Sequence, residues 1–495
     1  METATKETVK FLLIGEERIC KQVAYVMSFD KFEIKSFDLL TEENIQSFTD
    51  FNIYVCDFKR KCSRQVKAVG LKSVKYLEDI CREIDRDCFL NRAHNKKLVR
   101  QQLKKVSLLT RIKLWGYEFL KTLYFRFISS KSIHAAKKLR YGAVTNVKSL
   151  RCLKPSKLLL YVLNAPISKT VQCSLVETGM FITSAGEVFG CCSMLVPFGN
   201  LFHDGDLDKI YNSTYARIVK LSSLNRSYCL CNQYGFCPTY IDAKSLPLKP
   251  LQTVKVPAQV TVAIDRTCNL CCKSCRNKRF VMDKLTQTRI SLMANKIQQS
   301  GYLDKTNKLY VAGQGEVFYS PYYRQLVETK LQRKNIVILS NGTLFNEKNW
   351  NWLKDKYETI DVIISVDAAT ADTYKKLRGA DFNALMKNLE TLANLHRQKQ
   401  IRKFNLNFVV QRDNYREMIK FVELGRALGV DQIEFQHMNN FGNLTKKEYL
   451  QRCMIVKNKY LDKELWQVLR DPIFQEPIVD LSGLKRYMVA MEEKE

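Results

Sequence analysis

Four of the chain's 17 cysteines fall in one short stretch, Cys268-Asn269-Leu270-Cys271-Cys272-Lys273-Ser274-Cys275. Read as C-x3-C-x2-C, the spacing assigns Cys268, Cys272 and Cys275 as ligands and leaves Cys271 spare. Three thiolates on one tight loop suit three corners of a [4Fe–4S] cube, because all three must reach a single small cluster. Three ligands leave one iron open. An open metal position marks a reactive centre, whereas a fully ligated one is structural or carries electrons. Zinc is the alternative, and it needs a fourth ligand. The residues that follow, Arg276, Asn277, Lys278 and Arg279, offer none.

Six further cysteines lie between Cys173 and Cys237. The remaining seven (Cys20, Cys56, Cys62, Cys81, Cys88, Cys152 and Cys453) are scattered, and most read as small buried apolar side chains. The amino terminus, METATKETVKFLLIGEERIC, carries acids and only a short apolar run, unlike a secretory signal. A cytoplasmic location is therefore expected, and with an odd cysteine count a disulfide framework is not. Clustered cysteines in a reducing compartment point to metal.

The elements that must position these thiols follow from periodicity. Strand-like runs occur at Val260–Ile264, Lys308–Ala312, Ile336–Ser340, Val362–Val366, Leu406–Val410 and Gln432–Phe435. Helical patterns lie between them, among them Thr286–Gln299, Tyr323–Gln332 and Phe382–Gln398. Strands alternating with helices predict a parallel α/β sheet, whose sites form at the carboxyl ends of the strands. The cysteine loop directly follows the first run, VTVAID.

With that loop in place, residues 257–440 strongly resemble the radical S-adenosylmethionine enzymes, whose defining motif is a C-x3-C-x2-C loop after the first strand of a partial (βα)6 barrel. Gly313-Gln314-Gly315-Glu316, after the second run, looks like the family's glycine-glycine-glutamate segment for the methionine amino group. Glycines there allow close backbone approach, and Glu316 can pair with an ammonium. Ser340-Asn341-Gly342 matches a turn frequent in the family after strand three. Ser365-Val366-Asp367 and the downstream Arg378-Gly379 match its serine-containing strand and a polar group facing the cofactor's ribose or carboxylate. Ser274 departs from the pattern, standing where the family usually carries an aromatic residue near the cofactor adenine.

The resemblance implies a [4Fe–4S] cluster on Cys268, Cys272 and Cys275. It implies S-adenosylmethionine held by Gly313, Gly315, Glu316, Ser340, Asn341, Ser365 and Arg378, and an electron donor of flavodoxin or ferredoxin type. The activity it implies is reductive cleavage of S-adenosylmethionine to a 5′-deoxyadenosyl radical that takes hydrogen from an unidentified peptide, protein, glycan or metabolite. Upstream, Cys173, Gly186 with Cys191-Cys192, Cys229-Leu230-Cys231 and Cys237 look like the SPASM or twitch auxiliary module, here ahead of the barrel. Cys173, Cys191, Cys229 and Cys237 are the assigned ligands of a second [4Fe–4S] cluster, with Cys192 and Cys231 as substitutes. A zinc-ribbon-like site is the alternative.

The resulting organisation has five parts. They are a small α/β domain (1–90), a basic amphipathic helical connector (91–165), a SPASM-like module (166–245), the barrel (256–440) and a C-terminal tail (441–495). In the first, Gly15 stands alone after the opening strand, so interaction or scaffolding fits better than dinucleotide binding. Lys and Arg total 80 against 50 acids, a net charge of +30. That balance favours an anionic substrate or surface. Residues 92–154 alone carry 17 Lys and Arg against one acid, Glu118. Basic and aromatic residues interleave over 96–128, a pattern open to three readings: a helix packed on its neighbour, peripheral contact with a membrane surface, or, least favoured, nucleic acid. Two other functional readings remain, an inactive iron–sulfur scaffold and a basic metal-binding protein whose partner is nucleic acid or a membrane surface.

Overall fold

The computed structural model describes residues 10–35, 51–56, 74–86, 150–231 and 254–492. Short gaps fall at 16, 29–31, 78, 152, 168–172, 277, 312, 329–334, 441–443 and 457–459. Almost all of the basic segment 92–154, and Cys62, Cys88, Cys152 and Cys237, lie outside the described residues.

Near the amino terminus, β1 (Lys10–Gly15), β2 (Phe32–Lys35), β3 (Phe51–Cys56) and β4 (Val74–Tyr76) form a parallel sheet in the order β2-β1-β3-β4. The helix α1 (Glu17–Met27) buries Ile19, Cys20, Val23, Ala24 and Val26. Arg217 Nε donates to Val26 O at 2.7 Å, which ties this unit to the helix Thr214–Leu224.

The second sheet has ten strands among the described residues. Six are the expected ones: β8 (Gln259–Ala263), β9 (Lys308–Val311), β10 (Asn335–Ser340), β11 (Thr359–Ser365), β12 (Lys403–Val410) and β13 (Gln432–His437), each parallel to the next. The cysteine-rich segment is continuous with them. Its hairpin, β5 (Gly179–Thr183) and β6 (Glu187–Phe189), extends to β7 (Gly199–Asn200), and β5 pairs in parallel with β8. The segment after 440, expected as a tail, is also built in. It contributes the small pair β14 (Ile455–Val456) and β15 (Tyr460–Leu461), and β16 (Val479–Asp480), which pairs with β13. Leu461, Leu465, Leu469, Phe474 and Leu484 are buried there. Its short, interrupted apolar runs give little periodicity to read.

Helices alternate with the strands from β8 to β13. The principal ones are α2 (Lys284–Gln299), α3 (Pro321–Glu328), α4 (Ala371–Arg378), α5 (Phe382–Arg397) and α6 (Met418–Leu428). Asp283, Thr370 and Asp381 cap α2, α4 and α5 through their side chains, satisfying amide groups that the helices leave open. Among the described residues no helix is long and apolar enough to cross a membrane.

Candidate active site

The loop that leaves β8 is anchored before it reaches its first cysteine. Asp265 is fully buried and accepts from Thr267 N (2.9 Å), Thr267 Oγ1 (2.7 Å) and Ser320 Oγ. Tyr323 of α3 donates to Asp265 O at 2.9 Å. This knot presents the next residues above the sheet edge. There the Gly313-Gln314-Gly315 turn packs against them. A Cβ on Gly313 (φ +137°) would lie 2.4 Å from Ala263 Cβ, and one on Gly315 would lie 2.6 Å from both Asp265 O and Thr267 O. The close approach these glycines permit is thus first of all to the β8 loop.

The four clustered thiols differ in their surroundings. Cys268 Sγ accepts from Leu270 N (3.4 Å) and Asn341 Nδ2 (3.6 Å). Cys272 Sγ accepts from Arg378 Nη1 at 3.4 Å, and Cys275 Sγ from Arg276 Nε at 3.4 Å and Nη2 at 3.5 Å. Cys268 Sγ also donates, to Asn269 Oδ1 at 3.9 Å, and Cys271 donates to Arg276 O at 3.8 Å; among the described residues Cys271 is the one of the four that accepts no hydrogen bond. Burial raises the pKa of Cys268 and Cys272, and Arg378 opposes that rise at Cys272. Positive charge and N–H donors at three sulfurs favour thiolates, the form that binds iron. Among the described residues, no three Cys, His, Asp or Glu side chains are grouped tightly enough to hold a single metal ion.

Glu316 sits at the centre. It is buried and accepts from Ser340 Oγ (2.8 Å), Asn341 N (2.8 Å) and Phe318 N (3.3 Å). Burial raises its pKa, and those three donors with Arg378 pull it back. Asn341 also reaches Asn269 at 2.9 Å, so the turn after β10 is bonded directly to the cysteine loop.

Arg378, the last residue of α4, is buried. Its Nη2 lies 2.9 Å from Asp367 Oδ2, and its Nε has no hydrogen-bond partner among the described residues. Burial alone would lower its pKa, but Asp367 and Cys272 outweigh that and hold the guanidinium charged. Asp367, with φ 65°, is fixed by Val409 N at 2.8 Å and through its own carbonyl by Asn414 Nδ2 at 2.9 Å. Glu417 holds the start of α4, accepting from Ala369 N at 2.6 Å and Thr370 Oγ1 at 2.6 Å. Ser365 ends β11, half-buried, one rung from these groups.

The expected residues of the cysteine loop and of Gly313, Gly315, Glu316, Ser340, Asn341 and Arg378 therefore converge at the carboxyl ends of β8 to β11. Sequence reasoning missed Asp265 and gave Arg276 no role beyond its failure as a zinc ligand. The signal for Asp265 was an acid directly following an apolar strand. The set fits the cofactors its motifs imply: three distinguished sulfurs, a buried carboxylate for an ammonium, and an unpartnered guanidinium N–H for a carboxylate.

The upstream cysteines stand at the other end of the sheet. Cys173 precedes β5, and Gly190, next to Cys191, packs on Gly179 at the amino end of that strand. Cys191 is half-buried, desolvation pushes its thiol pKa well up, and Cys192, Cys231 and Cys173 add to the rise. Cys229 is pushed to about 12 by burial and accepts from Ser227 Oγ at 3.3 Å. Cys231, Cys192 and Cys173 are thus near enough to act on Cys191, while Cys229 is not among the groups that do.

Residues 173–233 match the SPASM model, an iron–sulfur cluster-binding domain. The chain is 30% identical over 171 residues to a probable GTP 3′,8-cyclase of Saccharolobus solfataricus, covering 32% of this chain and 53% of that protein. It is 30% identical over 135 residues to one of Saccharolobus islandicus, 26% of this chain and 42% of that protein. The chain spans about half the length of the curated relatives it matches. Among solved structures, Streptococcus suis SuiB bound to precursor peptide SuiA has a TM-score of 0.33 at 16% identity, over 64% of this chain and 72% of that one. TYW1 with a lysine-pyruvate adduct bound has a TM-score of 0.28 at 19% identity, over 42% and 70%.

Proposed function

We propose that this chain, a radical S-adenosylmethionine protein with a SPASM module ahead of its main sheet, is an enzyme that abstracts hydrogen from a bound substrate. Its cofactors are a [4Fe–4S] cluster, S-adenosylmethionine and an auxiliary iron–sulfur cluster. Reductive cleavage of S-adenosylmethionine supplies the carbon radical for such chemistry. The observation that carries the reading is the contrast between three thiols that accept charge-assisted or amide hydrogen bonds and Cys271, which accepts none among the described residues.

In this reading Cys268, Cys272 and Cys275 hold the first cluster. Glu316 receives the methionine ammonium, with Ser340 and Asn341 fixing its carboxylate. Arg378 Nε is aimed at the cofactor's carboxylate or ribose, and Ser365 lines the adjacent rung. A flavodoxin- or ferredoxin-type protein is the proposed reductant. The partial (βα)6 barrel is the proposed form of the sheet from β8 to β13, closed enough to exclude water from a reactive radical.

Glu316→Gln keeps the shape and removes the charge. A hydrogen bond to a charged group is worth about 1.5–3 kcal/mol, so S-adenosylmethionine should bind roughly ten- to hundredfold more weakly. Equilibrium binding to the reconstituted protein checks this, and unchanged affinity would remove Glu316 from the site.

For the auxiliary cluster, Cys173 and Cys191 are the proposed ligands, joined by Cys231 or Cys229 and by Cys237. Cys191→Ala should lower bound iron by about four per chain while leaving S-adenosylmethionine binding intact. Iron that stays at the unsubstituted level would refute the site. Parallel loss with Cys231→Ala but not with Cys229→Ala would select Cys231.

A further inference from the structure

Two guanidinium groups reach the thiols assigned to the first cluster, but only one of them has a carboxylate at its side. Residues 266–282 carry five Lys and Arg and no acid. Lys273, Lys278 and Arg279 of that run are exposed, where water weakens their fields. Arg276 is buried, as is Arg378 at the end of α4. Arg378 donates to Cys272 Sγ, and Asp367 at 2.9 Å opposes its charge.

Arg276 is placed differently. It donates to Cys275 Sγ from two nitrogens, Nε at 3.4 Å and Nη2 at 3.5 Å. Its other side-chain partners are carbonyl oxygens: Nη1 donates to Arg266 O at 2.7 Å, and Nη2 to Gln314 O. Among the described residues no carboxylate forms an ion pair with it. Carbonyls orient a guanidinium and leave its net charge in place. A full positive charge therefore faces Cys275 from a site with little water to screen it. Cys268 and Cys272 also lie near enough to interact with that charge.

An iron–sulfur cluster gains negative charge on reduction, and its ligand sulfurs share that charge. Hydrogen bonds to those sulfurs, net charge and solvent exposure set the potential. A buried cation fixed to one ligand thus favours the reduced form over the oxidised one. A brace alone would need only the two carbonyl bonds, which fasten the start of the cysteine loop to the Gly313-Gln314-Gly315 turn. The fork on Cys275 goes beyond that.

We propose that Arg276 is a positioning residue that acts through Cys275 to raise the reduction potential of the first cluster, so that a milder electron donor can load it. This rests on the proposed function and deepens it, by assigning to one side chain the ease with which that cluster is reduced. Arg378 contributes less, because Asp367 offsets its charge.

The test is an EPR-monitored redox titration of the full chain, reconstituted anaerobically, following the signal that S-adenosylmethionine alters. Arg276→Gln removes the charge and keeps a donor. Its reduction equilibrium should fall roughly tenfold, about 59 mV for a one-electron couple. Arg276→Lys keeps the charge without the fork and should fall roughly threefold. The auxiliary cluster, read from the signal that the cofactor leaves alone, should keep its potential in both variants. Iron analysis verifies that each variant is assembled. An unchanged potential in Arg276→Gln, an equal fall in the two variants, or an equal fall at the auxiliary cluster would overturn the proposal. If only Arg276→Lys holds its iron, an unchanged potential in that variant overturns it. Loss of the first cluster's iron from both variants would make Arg276 a brace, and that too would overturn it. An unsubstituted protein with no cofactor-sensitive signal would overturn the reading beneath, separately from any result with the variants.

Discussion

Replacing Cys268, Cys272 and Cys275 together by Ala is expected to remove about four iron atoms of roughly eight and to end 5′-deoxyadenosine formation. The loss should be confined to one cluster because the two cysteine sets occupy opposite ends of the sheet. From the level of Gly179 to that of Thr183 and Ala263 is four residue steps, about 13 Å. Cys191 lies beyond one end, and the Cys268 loop beyond the other. Cys271→Ala is the matched control. Its thiol donates to Arg276 O and stands outside the set that accepts, so iron and product should stay near the unsubstituted level. Iron and sulfide analysis with chromatography of the nucleoside decides the matter. Persistent 5′-deoxyadenosine in the triple variant would contradict the core assignment.

Arg378→Met should carry the largest cost in stability. The guanidinium is buried between Asp367 and Cys272, and its removal leaves the Asp367 carboxylate buried without its cation. Breaking such a pair costs about 3–5 kcal/mol, whereas replacing both partners by neutral groups costs far less. Asp367→Asn added to Arg378→Met should therefore recover a large part of the lost stability, since Asn can still accept from Val409 N. Cofactor cleavage should not recover, because the donor to Cys272 and the one proposed for the cofactor are gone in both variants. Denaturant unfolding of the variants before reconstitution supplies the energies. A fully stable Arg378→Met would mean that Asp367 is neutral in the fold and that the pair is not what holds α4 against the cysteine loop.

The residues that act through spacing were readable from the chain. Six strands with helices between them follow from apolar runs bounded by polar ones, and the strand boundaries moved by only a few residues. The C-x3-C-x2-C loop and Glu316 are legible because their chemistry restricts residue type. What the sequence did not yield depends on pairing between distant segments. Nothing local in Thr183 or Ala263 says that β5 lies beside β8, so the cysteine-rich segment read as a separate module although its strands continue the main sheet. Arg276 read only as a residue unable to ligate zinc, and folding brings it to Cys275 and the carbonyls of Arg266 and Gln314. The Met194–Cys231 bridge, which brings Cys231 to the segment just after Cys191, likewise has no local signal.

We propose that one chain holds two iron–sulfur clusters, one of them with an open iron for S-adenosylmethionine. Iron and labile sulfide per chain after anaerobic reconstitution, with EPR of the reduced protein before and after S-adenosylmethionine is added, tests it most directly. About eight iron and eight sulfide are expected, with a signal that shifts when the cofactor is added. Little iron with one or two tightly held zinc ions, or a spectrum that the cofactor leaves unchanged, would contradict it.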